Sequence, residues 1–247
     1  MTNPRRTVLS WSSGKDSAYA LAVLREDPTF DIVALLTTVN AHYQRVAMHA
    51  VREELLELQA AAVGLPVWKV PIAWPCSNEQ YEAAIAAAVA RAVAEGVTHI
   101  AFGDLFLEDI RAYREASLSG TGLTPVFPLW GKNTAELART MIDAGTRAVL
   151  TCVDPAQVDR RFVGRAFDVD LLNELPDDCD PCAEGGEFHS FAWDGPAFRY
   201  PVSIRVGDVV ERDGFVFADL LTASSSGSIA RPAALLSADE ELHSSDG

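Results

Sequence analysis

The sequence has no long apolar run. Although 49% of its 247 residues are hydrophobic, no stretch approaches the length needed to cross a bilayer. Met-Thr-Asn-Pro-Arg-Arg leads into a short strand that ends in polar residues, not into the apolar segment of a signal peptide. These absences set the expectation of a cytoplasmic protein with no membrane partner. Positive charge is also scarce. Lys and Arg number 20 against 35 Asp and Glu, a formal net charge of −15. Such a surface repels phosphate backbones, so nucleic acid is not an expected partner. Part of the excess lies in residues 223–247, where Arg231 stands against Asp239, Glu240, Glu241 and Asp246. This Ser- and Ala-rich stretch reads as a disordered acidic tail. Cysteine is limited to Cys76, Cys152, Cys179 and Cys182. The pair Cys179-Asp-Pro-Cys182 has no second pair at metal-ligand spacing, which argues against structural zinc. No internal repeat is visible, and the G-x-x-x-x-G-K-[ST] spacing is absent.

What the sequence does have is alternation. Runs at 7–11, 31–36, 66–72 and 97–102 read as strands. Between them lie helical patterns at 16–26, about 46–62 (Val46, Met48, Val51, Leu55, Leu58, Ala62) and 77–95. Gly64 and Gly96 supply helix stops, and Ser77 with Gln80 has the spacing of a capping box. Strands alternating with helices imply an α/β fold with a parallel sheet covered on both faces. Its ligand site is expected beyond the carboxyl ends of the strands. From about residue 106 the pattern changes. A helix is expected over 108–118 and another from Asn133 to about Gly145. A strand follows at 147–153, then a helix over 169–175 capped by Asp168. After a polar loop at 177–187 and an extended segment at 188–193 comes a hairpin, 202–210 with 215–221, turning at Glu-Arg-Asp-Gly. The expected division is a nucleotide-binding domain over 1–105, a smaller α+β domain over 106–222 and the tail over 223–247. Trp68, Trp74, Trp130 and Trp193 read as core residues.

The most informative stretch is Ser12-Ser13-Gly14-Lys15-Asp16-Ser17, which follows the first strand and opens the first helix. Small residues let backbone N–H groups close around an anion, and the helix adds the positive end of its dipole. Lys15 contributes a point charge. The layout suits the pyrophosphate part of ATP. Ser12, Ser13, Gly14, Lys15 and Ser17 are the expected phosphate holders, and Asp16 is the candidate for Mg²⁺, which prefers oxygen ligands. Gly103 and Asp104 end another sheet strand and point to the same place, unless Asp104 merely caps the next helix. Arg111 and Arg114 are either a solvated helix face paired with Glu108 or Glu115, or a clamp on phosphate or carboxylate, with Arg111 favoured. His49 is either structural or a nucleotide contact.

Ser12–Ser17 resembles the S-G-G-x-D-S loop of PP-loop ATP pyrophosphatases, with Ser13 in place of one glycine. Asp180-Pro-Cys-Ala-Glu-Gly-Gly-Glu-Phe-His189 resembles the C-terminal signature of the diphthine–ammonia ligase family, with Ala183 where that signature has glycine. Gly103-Asp104-Leu105, Arg111 and Pro128-Leu129-Trp130 look like the same family. The resemblance implies a Rossmann-like PP-loop (adenine nucleotide alpha-hydrolase-like) sheet domain with a smaller C-terminal domain. It implies ATP and Mg²⁺ as cofactors, ammonia as co-substrate and a carboxylate acceptor. Adenylation of the carboxylate would be followed by amidation. Lys15, Asp16, Asp104, Glu184 and Glu187 would carry the chemistry, while Glu184, Gly186, Glu187 and His189 would form the substrate or ammonia wall. Alternatives are a nucleotide sensor without catalysis and a PP-loop enzyme acting on tRNA; a homodimer stays open. The loop is expected to accept the small Ser13 side chain without a left-handed backbone there, since that conformation would cost about 1–2 kcal/mol.

Overall fold

Strands in the first half carry apolar residues on both faces. Val8, Ala34 and Ile100 enter one buried cluster, and their chain neighbours Leu9, Leu35 and Ala101 enter another. Such strands need cover on both sides, which a parallel sheet with crossover helices supplies. The computed structural model describes residues 3–41, 45–46 and 51–223. In it, β1 (Arg5–Ser10), β2 (Phe30–Asn40), β4 (Val67–Ile72), β5 (His99–Ala101) and β6 (Thr124–Val126) form that parallel sheet. Its spatial order is β4-β2-β1-β5-β6, and the short β3 (Arg45–Val46) pairs antiparallel with the end of β2. The helices are α1 (Lys15–Glu26), α2 (Glu53–Val63), α3 (Asn78–Ala94) and α4 (Glu108–Leu118). The order of strands reverses between β1 and β5. In open α/β sheets the ligand crevice lies at that point.

The second sheet is antiparallel: β8 (Phe188–Asp194), β7 (Arg147–Val153), β10 (Phe215–Thr222) and β9 (Ile204–Arg212), in that spatial order. Helices α5 (Thr134–Asp143) and α6 (Val169–Glu174) belong to this half. The expected caps are present. Ser77 and Gln80 bond reciprocally, Asn133 accepts from the N–H of Glu136, and Asp168 accepts from that of Leu171. The β9–β10 turn sets Asp213 and Gly214 at positive φ, as a tight hairpin requires.

Three placements differ from the sequence reading. The parallel sheet continues past residue 105, because β6 is its edge strand. Helix α2 begins at Glu53, and it leaves Leu58 40% exposed while Gln59 is fully buried. Trp74 is 59% exposed. His49 and residues 224–247 of the acidic tail lie outside the described residues. Among the described residues, no helix is long and apolar enough to cross a membrane.

The two sheets share one core. Leu9, Leu21, Leu55 and Leu56 from the first half belong to the same buried cluster as Leu150, Phe167, Phe188 and Phe191 from the second. Strand β8 thereby comes to lie against the loop that follows β1.

Candidate functional site

The strand β1 delivers its chain at the switch point, and the loop Ser12–Gly14 turns it into α1. Its N-cap, Gly14, has no side chain to cap it; the Gly14 and Lys15 N–H groups go to the hydroxyls of Ser12 and Ser190, and the rest of the positive end faces the cavity. A cavity of about 270 Å³ opens there. It is lined by Ser12, Lys15, Asp16 and Ser17 from the loop and helix, by Phe102, Gly103 and Asp104 after β5, by Arg114 of α4, and by Cys182 to Ser190 with gaps at Gly185 and Glu187. The two sequence blocks, 170 residues apart in the chain, therefore form opposite walls of one site.

Gly103 sits at a close approach to the start of α1. A Cβ there would stand 3.2 Å from the backbone N of Ser17 and 3.3 Å from the carbonyl carbon of Asp16. Asp104 does not cap α4, whose N-cap is Leu107. Its carboxylate faces the cavity and accepts from Nε of Arg114 at 3.4 Å.

Lys15 is 2% exposed. Its ammonium donates to Oδ2 of Asp16 at 3.0 Å and to the carbonyl of Cys182, and lies over the rings of Phe167 and Phe188. An ammonium has three donors. Burial opposes the Lys15 charge, but the Asp16 carboxylate and its neighbours outweigh it, and the pKa is raised. Burial pushes the Asp16 carboxyl up against the pull of that ammonium. The second carboxylate oxygen, Oδ1, is buried with no hydrogen-bond partner. A lone buried carboxylate oxygen beside an anion site is the donor that Mg²⁺ uses when phosphates supply its other ligands. The described residues contain no cluster of three or more His, Cys, Asp or Glu able to hold a metal without them.

On the opposite wall, Glu184 accepts from the N–H of Leu105 at 2.7 Å, which ties this loop to the exit of β5. Burial raises the Glu184 pKa against the Leu105 N–H, and the Asp16 and Asp104 carboxylates add to the rise. Gly186 and His189 also line the cavity. Glu187 does not. It is 5% exposed and lies behind the loop, where Oε1 accepts from the N–H of Asp180 at 3.0 Å. Asp180 in turn accepts from the N–H of Glu184 at 2.8 Å. Gly185 gives the Glu187 carboxylate room, since a Cβ there would stand 3.0 Å from its Oε1. Glu187 therefore braces the loop that presents Glu184. Burial pushes the Cys179 and Cys182 thiols up to about 12, so both stay protonated near neutrality.

Arg111 does not line the cavity. It pairs with Glu115 at 2.8 Å and stacks over Phe127 and Trp130. Arg114, one turn on, takes the cavity-facing place.

Ser13 corrects the sequence reading. Its φ is +67°, and Ala183 has φ +59°. The two positions where this chain departs from glycine are both left-handed, each at a cost of about 1–2 kcal/mol. The Ser13 conformation persists because its carbonyl is held from two sides: it accepts from the N–H of Ala192 and from the side-chain amide of Gln59, both at 2.9 Å. The backbone N–H of Lys15 donates to Oγ of Ser190 at 3.2 Å. Gln59 was invisible to loop motifs; its signal was a polar residue on the apolar face of α2.

Burial, with Lys15 adding to it, lowers the His189 pKa from 6.5 to about 4. A folded pKa below the unfolded one makes stability fall as pH drops from 6.5 towards 4, because the unfolded chain takes up the proton first. His189→Gln is expected to flatten that limb of a stability–pH curve, measured by urea unfolding. An unchanged slope would refute it.

The diphthamide synthase N-terminal domain family matches residues 5–124, and the diphthamide synthase C-terminal domain family matches residues 133–217. The chain is 26% identical to a "Diphthine--ammonia ligase" of Bos taurus over 235 residues, 84% of this chain and 85% of that protein. It is 26% identical to the protein of that name from Homo sapiens over 237 residues, again 84% and 85%. For Rattus norvegicus the identity is 24% over 245 residues, 87% and 89%.

Proposed function

The chain belongs to the diphthamide synthase family, and from that membership we propose that it is an ATP-dependent ligase that amidates a carboxylate with ammonia, forming AMP and pyrophosphate. One observation carries the reading: the Ser12–Ser17 loop and the Glu184–His189 wall line the same cavity at the sheet's switch point. Oxygen of the acceptor carboxylate attacks the α-phosphorus of ATP, pyrophosphate leaves, and ammonia then displaces AMP from the acyl-adenylate.

The chain's own groups divide this work. Ser12, Ser17 and the N-terminus of α1 hold phosphate oxygens, with Gly14 keeping the loop narrow and Ser13 setting its turn. Lys15 has one N–H beyond those given to Asp16 and Cys182, and it aims that donor at the leaving pyrophosphate. Asp16 Oδ1 would hold Mg²⁺, which when bound would supply charge neutralisation at the phosphates. Asp104 and Arg114 form a paired group near the acceptor. Glu184, with its raised pKa, takes the proton that ammonium must lose to become a nucleophile. His189, uncharged near neutrality, forms an uncharged part of the ammonia wall.

The test is release of AMP and pyrophosphate from ATP with Mg²⁺ and ammonium, across small carboxylates and a family-type protein acceptor. Release that requires an acceptor and disappears in Lys15→Ala supports the ligase. Tight ATP binding without pyrophosphate release under any condition refutes it and leaves a nucleotide sensor.

A further inference from the structure

We infer that Gln59, on α2 and outside the cavity, is a positioning residue that sets the phosphate loop. The inference rests on the ATP-binding reading above. Gln59 is fully buried, and its amide is used on both sides. The side-chain NH₂ donates to the carbonyls of Ser13 at 2.9 Å and Ala192 at 2.5 Å, while Oε1 accepts from Nε1 of buried Trp11 at 3.0 Å. Those three partners are the residue entering the loop, the residue at its tightest point and the strand of the second sheet that supports it.

The geometry explains why an amide is needed here. The N–H of Ala192 also donates to the Ser13 carbonyl. That carbonyl therefore points inward, away from the cavity, and accepts two bonds. A loop that binds anions must keep carbonyl oxygens out of the pocket, because they would repel phosphate and compete for its donors. The left-handed φ at Ser13 is the backbone turn that achieves this. With glycine at position 13 the turn would come free; with serine it must be imposed. Gln59 imposes it by making the inward carbonyl the better bonded one. An isosteric apolar side chain would take this partner from the Trp11 N–H and leave the Ser13 carbonyl with the Ala192 N–H alone, and Ser13 would relax towards negative φ.

The test is a cycle of the intact chain: wild type, Gln59→Met, Ser13→Gly and the double variant, with Gln59→Asn as a shorter replacement. ATP affinity is measured by titration calorimetry, and folding by thermal melting. Gln59→Met is expected to weaken ATP binding at least 10-fold. Combining it with Ser13→Gly is expected to recover most of that loss, because glycine keeps the turn without help. Gln59→Asn falls between, since its amide reaches one carbonyl at most. Equal losses of affinity with Ser or Gly at position 13 would overturn the inference, as would no loss at all. Gln59 variants that fail to melt cooperatively with either residue at 13 would also overturn it, because the amide would then hold the fold and not the loop. A wild type that binds no ATP at all would instead refute the ATP-binding reading, which distinguishes the two failures.

Discussion

Asp16→Asn is expected to lower kcat/KM for the proposed ligation by at least about 10³, a loss of about 4 kcal/mol in transition-state stabilisation, and to destabilise the fold by about 3 kcal/mol as well. The two effects have separate causes. Lys15 is 2% exposed and carries its charge next to the Asp16 carboxylate at 3.0 Å. Neutralising Asp16 leaves a buried cation with carbonyl and ring contacts and the weaker pull of the Asp180 carboxylate, which is the costly half of a broken ion pair. The catalytic loss is expected from the other oxygen, Oδ1, which is buried with no partner and would hold Mg²⁺ on the proposed reading. The double variant Lys15→Met/Asp16→Asn separates them. With no buried charge left, its urea midpoint returns towards that of the wild type, while activity stays lost. Activity is lost in that variant through Lys15 as well, so recovery of activity together with stability would refute the catalytic roles of both Lys15 and Asp16.

Much of the frame was legible in the sequence because it rests on local signals. Capping residues at Ser77, Asn133 and Asp168 name helix starts through hydrogen bonds made within one turn. The strands β1, β2 and β4 are runs that only a doubly covered sheet can bury. The loop and the Glu-Gly-Gly-Glu block were legible as pieces, and the fold joins them. What escaped the sequence depends on direction and phase. Strand β6 is three residues with Pro125 inside, too short to show alternation, and proline is tolerated there because the strand is an edge. In α2, Leu55–Leu58–Ala62 and Leu55–Gln59–Val63 are both helical spacings. Leu55 and Ala62 are buried together with Gln59 and Val63, so a polar side chain goes inward and Leu58 alone of the first set turns outward. Arg111 and Arg114 lie three residues apart on one helix, and only the packing of α4 decides which meets Asp104. Glu184 and Glu187 look equivalent in the motif, but the turn at Gly185 and Gly186 sends one to the cavity and the other behind it.

A chain ending at residue 132 is expected neither to fold cooperatively nor to bind ATP, although it contains the whole parallel sheet and the phosphate loop. The reason lies in what the second sheet covers. Leu9, Leu21, Leu55 and Leu56 share their buried cluster with Leu150, Phe188 and Phe191, and each large side chain re-exposed costs about 1.5–3 kcal/mol. Four or five such exposures match the entire stability of an ordinary domain, about 5–15 kcal/mol. Polar ties are cut as well. Arg25 gives its guanidinium to the carbonyls of Val63 and Ala197, both at 2.7 Å, and the N–H of Arg199 bonds the carbonyl of Ala62. At the loop itself, the bonds from Lys15 to Ser190 and Cys182 and from Ala192 to Ser13 would all be missing. The intact chain, by the same argument, is expected to melt in a single transition, with calorimetric and van't Hoff enthalpies in agreement. A truncated chain with a cooperative melt and wild-type ATP affinity would show the two halves to be independent. Failure of the fragment together with one transition in the whole would mean that the sheet carrying the acceptor wall also holds the nucleotide loop in shape. Any movement of the Glu184–His189 wall on acceptor binding would then be felt at the phosphates through Ser190 and Ala192, with no separate signalling element required.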